Sequence, residues 1–374
     1  MPGLPLAGVR VIELARILAG PWAGQVLADL GAEVVKIESP AGDDTRQWGP
    51  PFVDNGDGTQ DAAYFHAANR NKTSRIVDFS TVEGQAQIRA LAATADVVIE
   101  NFKVGGLAAY GLDYAALAAI NPGLVYCSIT GFGQDGPYAA RAGYDFIIQG
   151  MSGIMDLTGD PDGPPQKIGV AYADIMTGLY AVIGIQAALR QREQTGRGQW
   201  IDMALLDVMV GTLANQAMNA LVSGTSPRRL GNAHPNIVPY EVFPAADGWF
   251  ILAAGNDAQF GRVRALLGLP HDDALSTNRQ RVAERERVSQ TIAAATRLWP
   301  RDDLLAELER LGVPAGPIND VGQALADPQV RARGMVVPAE RDDGLASVPG
   351  VRTPIRFVGA PPADHHASPR LGSG

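Results

Sequence analysis

Cysteine is almost missing from this 374-residue chain, and the single one present rules out an intrachain disulfide. Cys127 lies in Leu124-Val125-Tyr126-Cys127-Ser128-Ile129, an apolar run that reads as a buried strand. Apolar burial raises a thiol's pKa, so Cys127 is expected in the core and not as a nucleophile. Histidine is scarce too. His66, His234, His271, His365 and His366 make no metal-ligand pattern, and no cysteine cluster helps them, so no metal is expected. The glycine fingerprint of nicotinamide and flavin sites is missing after the first strand pattern, where the chain reads Leu14-Ala15-Arg16-Ile17-Leu18-Ala19-Gly20-Pro21. There is no Gly-Lys-Ser or Gly-Lys-Thr phosphate loop and no Gly-x-Ser-x-Gly elbow. Any nucleophile here has to be a less common one.

Positive charge is also in short supply. The formal net charge of −9 argues against a nucleic-acid groove or a membrane-surface patch as the main activity. With 46% hydrophobic and 19% charged residues, the composition is that of a soluble globular protein, long enough for two domains or one large domain with an insertion. The opening Met1-Pro2-Gly3-Leu4-Pro5 lacks the basic start and apolar core of a signal peptide. The apolar run 175–189 carries Thr177 and Gln186, and the run 201–222 carries Asp202, Asp207 and Asn215. Both read as buried core helices, and a cytoplasmic protein that engages neither membrane nor nucleic acid is the expectation.

The first third alternates strand and helix patterns. Val9–Leu14, Glu33–Glu38, Arg75–Phe79, Asp96–Asn101 and Leu124–Ile129 are short apolar, β-branched runs. Between them, helices are expected over Trp22–Leu30, Glu83–Ala93 and Tyr114–Ile120. This rhythm predicts a mostly parallel sheet with helices on both faces. The stretch 41–63, rich in Gly, Asp and Pro, is too long for an ordinary connection and reads as a functional loop. A long apolar helix is expected from Asp174 to Arg192, stopped by Thr195-Gly196-Arg197-Gly198, with another from Ala204. Composition shifts near 223–229, after which Tyr240–Phe243, Asp247-Gly248 and Trp249–Leu252 suggest a hairpin. Helical, charge-rich patterns follow over 258–311. Residues 312–320 read as a linker or strand returning to the first domain, and the tail from 360 as loose. Asp174, directly before an apolar helix, reads by position as an N-cap.

Ordered segments along the chain carry a resemblance. They are Val11–Leu14 with Ala19-Gly20-Pro21, Leu30–Glu38, Asn71-Lys72, Asn101-Phe102, Ile129–Gly133, Gly143-Tyr144-Asp145, Gly150–Gly153, Ala173–Gly178, Thr195–Gln199, Gly231-Asn232 and Asp327-Pro328. In this order and spacing the chain resembles the family III coenzyme A transferases, a group that also includes α-methylacyl-CoA racemases. The resemblance implies an α/β fold: a Rossmann-like large domain with a parallel sheet, a smaller α+β domain, and an interlocked homodimer. The large domain would be 1–222, completed by about 321–374, with 223–320 as the small domain and its linkers.

For activity, the resemblance implies transfer of CoA from an acyl-CoA donor to a carboxylic acid, with no permanently bound cofactor. Asp174 would be the nucleophile, with Tyr144 and Asp145 beside it. The positions matching CoA contacts are Arg16, Ile17, Leu18, Ala19, Val77, Asn101, Phe102 and Tyr144. Two basic residues of the best-known member are replaced by Ala109 and Ala142, so Arg46, Lys72, Lys103 and Arg141 become the candidates for phosphate charge. Related racemases use a histidine where Tyr144 stands. A phenol of pKa near ~10 is a poor base at neutral pH beside an imidazole near ~6.5, which favours transfer over racemisation. The oxalate-linked members carry a glycine run where this chain has His234-Pro235-Asn236-Ile237-Val238-Pro239-Tyr240. A dicarboxylate pair is therefore preferred over formate or oxalate, with His234 as a candidate substrate contact. A CoA-binding sensor and a thioester hydrolase are the other classes open to the fold.

Overall fold

The computed structural model describes residues 4–341, 344, 347–359 and 365–374. Residues 1–3 of the opening segment and 360–364 of the tail lie outside the described residues. The chain divides into two compact units: Met1–Met155 with Lys167–Thr225 and Pro328–Gly374, and Asp156–Gln166 with Ser226–Asp327.

The first unit is built on six parallel strands: β1 (Arg10–Glu13), β2 (Glu33–Glu38), β3 (Lys72–Ile76), β4 (Val97–Glu100), β5 (Val125–Thr130) and β6 (Trp200–Ala204). Their order is β3-β2-β1-β4-β5-β6, a Rossmann-like arrangement that reverses direction of winding between β1 and β4. The central strands read as unbroken apolar runs because both faces are covered. Val11, Val97, Ile99, Val125 and Cys127 enter one core, and Ile12, Val98 and Tyr126 enter the other. Burial pushes the Cys127 thiol upward, in keeping with a core residue.

Three helices position the site: α1 (Ala19–Asp29), α2 (Asp145–Met151) and α3 (Tyr172–Thr195). Helix α1 begins three residues before the expected Trp22, because Pro21 in a first turn forfeits no intrahelical hydrogen bond. Helix α3 ends at Gly196, whose φ of 70° closes it with a left-handed cap. Helices α1 and α3 meet closely at Gly178, where an added Cβ would come 2.8 Å from the Ala19 carbonyl oxygen and 3.1 Å from Trp22 Cβ. Gly178→Val is expected to destabilise the protein by about 1–3 kcal/mol through overpacking. Urea denaturation checks this, and an unchanged midpoint would contradict the close packing.

Several expectations are corrected. Residues 201–204 of the apolar run 201–222, read as a core helix, lie instead in edge strand β6, since five residues of mixed pattern are too few to reveal a period. The remainder splits into Leu205–Gly211 and Ala214–Ser223, and the latter buries no residue at all. Helix α3 is long and apolar enough to cross a membrane by length and composition. It is a core helix on one side only: Ala181 and Ile185 are buried while Tyr180 and Ile183 are exposed. The tail is not loose over its described part. Ala367 and Ser368 are buried, the Gly374 N–H donates to the Ser74 carbonyl at 2.8 Å along edge strand β3, and the Pro369 carbonyl accepts from Arg46 at 3.2 Å.

The second unit holds the expected hairpin, β7 (Tyr240–Ala245) and β8 (Gly248–Ala253), against helices that include Asp257–Leu266, Arg285–Thr296 and Arg301–Arg310. Phe243, Phe250, Val263, Ile292 and Leu304 form its core. Residues 315–317, expected to return to the first domain, instead form β9 (Ala315–Pro317), antiparallel to β8. The segment 156–166, which the sequence reading left in the large domain, belongs to this unit.

Candidate active site

The carboxyl ends of β1, β4 and β5 surround a cavity of 230 Å³ at the point where the strand order reverses, the usual ligand position in such sheets. After β1, Arg16, Ile17, Leu18 and Ala19 line it. After β4 come Asn101, Phe102 and Lys103; at the end of β5, Ile129, Thr130 and Gly131. Arg141, Ala142, Gly143, Tyr144 and Asp174 complete the wall with Leu205. The resemblance therefore picked out residues far apart in sequence that the fold gathers around one space.

Two glycines bring the 143–145 segment to the sheet. A Cβ on Gly131 or on Gly143 would come 2.5 Å from the other's Cα, so neither position accepts a side chain. Tyr144 is then the extended residue before α2, 63% exposed and facing the cavity.

Asp174 is the third residue of α3 and, contrary to the positional reading, does not cap it. That role falls to Asp145, whose Oδ1 accepts from the N–H of Ala173 at 2.8 Å and of Asp174 at 3.4 Å. Its Oδ2 accepts from Gln149 Nε2 at 2.8 Å. Two carboxylates thus share one helix start. The dipole of α3 favours an ionised Asp174, but burial first and the Asp145 charge second outweigh it, pushing the Asp174 pKa up to about 7. The nucleophile candidate is poised at neutrality instead of held fully ionised.

Sequence reasoning passed over Tyr64. It lies on a single helical turn, Ala63–His66, with its ring edge-on to Trp48 at 5.4 Å. Burial, then the charges of Asp174 and Asp145, push its phenol up, which places it in the field of the carboxylate pair. The only signal for it was its place just past the Gly-, Asp- and Pro-rich stretch 41–63, which reads as a loop in the sequence and holds a short antiparallel hairpin, Phe52–Asp54 with Gln60–Ala62.

Of the four candidate phosphate cations, the fold keeps two. Arg46 is buried, bound to Glu38 at 2.7 Å and Asp61 at 2.9 Å. Lys72 is also buried, at 2.8 Å from Glu13. Neither lines the cavity; both are committed to buried carboxylates. Lys103 and Arg141 do line it, Arg141 lying over the Tyr138 ring at 4.6 Å. Arg16 pairs with Asp44 at 3.2 Å and lies 5.7 Å from the Phe102 ring. Val77 is not in the lining: its side chain belongs to the core with Ile12 and Val98. Ala142 is in the wall, and Ala109 lies in the turn Ala108–Tyr110. His234 belongs to the second unit, where its Nδ1 accepts from the Asn236 N–H at 3.1 Å and its ring lies 5.2 Å from Tyr240.

Known proteins share this chain over its whole length. A family model described as CoA-transferase family III matches residues 6–374. The succinate–glutarate CoA-transferase of Agrobacterium fabrum is 59% identical over 373 residues, covering 98% of this chain and 93% of its own. The succinyl-CoA:glutarate CoA-transferase of Homo sapiens is 43% identical over 351 residues, covering 92% and 79%. Among solved structures, a CAIB/BAIF family protein from Brucella suis is 60% identical with a TM-score of 0.87, over 100% of this chain and 97% of that one. On that continuous match, the chain belongs to CoA-transferase family III and is a transferase enzyme.

Proposed function

We propose that this enzyme moves coenzyme A between two carboxylic acids, with Asp174 as the covalent carrier. The observation that carries this is the partly buried Asp174 carboxylate in the wall of the switch-point cavity. Ionised Asp174 attacks the donor thioester carbonyl, forming a mixed anhydride as the C–S bond breaks and CoA leaves as a thiolate. The thiolate attacks the aspartyl carbonyl, releasing the donor acid and leaving CoA on Asp174 as a thioester. The acceptor carboxylate reverses both steps and departs as the new acyl-CoA. No net proton or electron is consumed, and the thioester free energy is kept, provided water is excluded.

In this reading the first unit is the CoA-binding domain, completed by the C-terminal segment. Arg16, Ile17, Leu18, Ala19, Asn101, Phe102 and Tyr144 contact the coenzyme, and Lys103 and Arg141 supply phosphate charge. Asp145 sets the state of Asp174 while holding the start of α3. Names carried by the relatives support a dicarboxylate pair such as succinyl-CoA and glutarate, with His234 as a substrate contact. An interlocked homodimer, working in the cytosol, is part of this reading; the apolar surface of the chain supports association, with Ile183 63% exposed, Leu221 78% and Val222 80%.

A panel of acyl-CoAs and acceptor acids tests the reaction. Exchange of CoA that requires the acceptor is the expected result. Exchange of α-deuterium without CoA transfer would make the enzyme a racemase, and acceptor-independent release of CoA would make it a hydrolase.

A further inference from the structure

We propose that Asp43 is a positioning residue for coenzyme A binding: its carboxylate holds Ile17 in the left-handed backbone conformation that shapes the cavity wall between β1 and α1. Ile17 has a φ of +71°. A β-branched residue avoids this region, so something outside the turn has to hold it there.

The surroundings of the turn show what does. The Ile17 N–H points between the two oxygens of Asp43, at 3.3 and 3.4 Å. On one side, Lys36 Nζ donates to the Ala15 carbonyl at 2.9 Å and pairs with Asp43 at 2.9 Å. On the other, the Asn101 amide spans Arg16, accepting from its N–H at 2.8 Å and donating to its carbonyl at 2.7 Å. Ala15, Arg16 and Ile17 are thus each gripped through the backbone, which leaves the side chains of Arg16 and Ile17 to line the cavity.

Asp43 is itself fixed. Its Oδ1 accepts from the N–H and the hydroxyl of Thr45 at 3.0 and 2.7 Å, and its own N–H donates to Glu38 Oε2 at 2.9 Å. Asp43 is 2% exposed and Thr45 and Lys36 are fully buried, so none of these groups meets the cavity directly. Asp43 therefore acts on a ligand only through the turn, and its effect is inseparable from the strain at Ile17. That dependence gives the proposal a signature beyond stability. If the clamp exists to hold an unfavourable φ, a residue indifferent to φ makes it dispensable.

The inference rests on the CoA reading of the cavity. Its test is calorimetric titration of the full-length protein with free CoA, which needs no turnover. Asp43→Asn keeps the shape and loses the charge; Thr45→Val removes only the hydroxyl that orients Asp43 and is nearly isosteric. Asp43→Asn is expected to weaken CoA binding about tenfold and Thr45→Val about threefold. In an Ile17→Gly background each loss should shrink by at least half on a logarithmic scale. Folded variants that bind CoA like the wild type, or losses of equal size in both backgrounds, would overturn the clamp. Should Asp43→Asn fail to fold, Thr45→Val decides by the same criteria. Wild-type protein that does not bind CoA would overturn the CoA reading and the clamp together, whereas wild-type binding with unaffected variants overturns the clamp alone.

Discussion

Asp174→Asn is expected to fold, to bind acyl-CoA, and to lose CoA transfer by at least about a thousandfold, because an amide cannot form the mixed anhydride. Asp174→Ala should fail equally. The pH behaviour follows from the group's environment. With a pKa pushed up to about 7 by burial and by Asp145, the Asp174 carboxylate is a minority form in weak acid. The wild-type rate constant at low substrate should therefore rise about tenfold per pH unit below neutrality and level off above about 7.5. A flat profile from pH 5 to 8 would show Asp174 already ionised at pH 5 and contradict its raised pKa.

The same shift fixes a stability difference of the opposite sense. The folded state binds the Asp174 proton more tightly than the unfolded chain, whose ordinary value is 3.8. No stability is lost below 3.8; the penalty grows as pH rises toward about 7 and stays constant above. Its ceiling is roughly 4 kcal/mol, lowered by the solvent the carboxylate still meets. Asp174→Asn should thus be more stable than the wild type at pH 8 by a few kcal/mol, an advantage that disappears near pH 4. Gain of stability with loss of activity is the expected mark of a group kept for chemistry.

Lys36→Met carries the second large effect, a loss of about 3–5 kcal/mol in unfolding free energy. Lys36 is fully buried, with all three ammonium donors used: Glu13 at 3.1 Å, Asp43 at 2.9 Å and the Ala15 carbonyl at 2.9 Å. Burial opposes its charge, but Glu13, Asp43 and Glu38 more than compensate and raise its pKa. Methionine would fill the volume and leave Asp43 without its ammonium partner, while Glu13 keeps only Lys72. Against a typical total of about 5–15 kcal/mol, such a loss threatens the fold. The deficit should be smaller at pH 5 than at pH 8, where the stranded carboxylates can no longer take up protons. Guanidinium denaturation at the two pH values measures it, and a loss below about 1 kcal/mol would mean the network contributes little to the fold.

Much of this fold is legible in the sequence because buried parallel strands leave apolar β-branched runs, and the four central strands are visible that way; at edge strand β3 the run 75–79 meets only the last two residues of Lys72–Ile76, whose polar KTSRI sequence has no apolar run. Trp200–Ala204 was not visible either, since an edge strand with Asp202 on it has no unbroken run to show. The docked tail was hidden for another reason. Its order comes from Arg46 and Ser74, hundreds of residues away in sequence, and polar tail residues carry no local sign of such partners. At the site, ordered motifs pointed to Asp174, Tyr144 and the turn after β1, yet spacing could not reveal that Asp145 takes the capping role. Nor could charge alone separate Lys103 and Arg141, in the cavity wall, from Arg46 and Lys72, buried in ion pairs. Tyr64 and Asp43 depend on contacts across loops, where sequence gives composition and no geometry.

The most direct measurement is mass spectrometry of the Asp174 peptide after brief incubation with succinyl-CoA and quenching. Covalent catalysis predicts CoA attached to Asp174, converted to a hydroxamate by hydroxylamine, and absent from Asp174→Asn. Acceptor-dependent CoA exchange with an unmodified Asp174 peptide at every time point would contradict it.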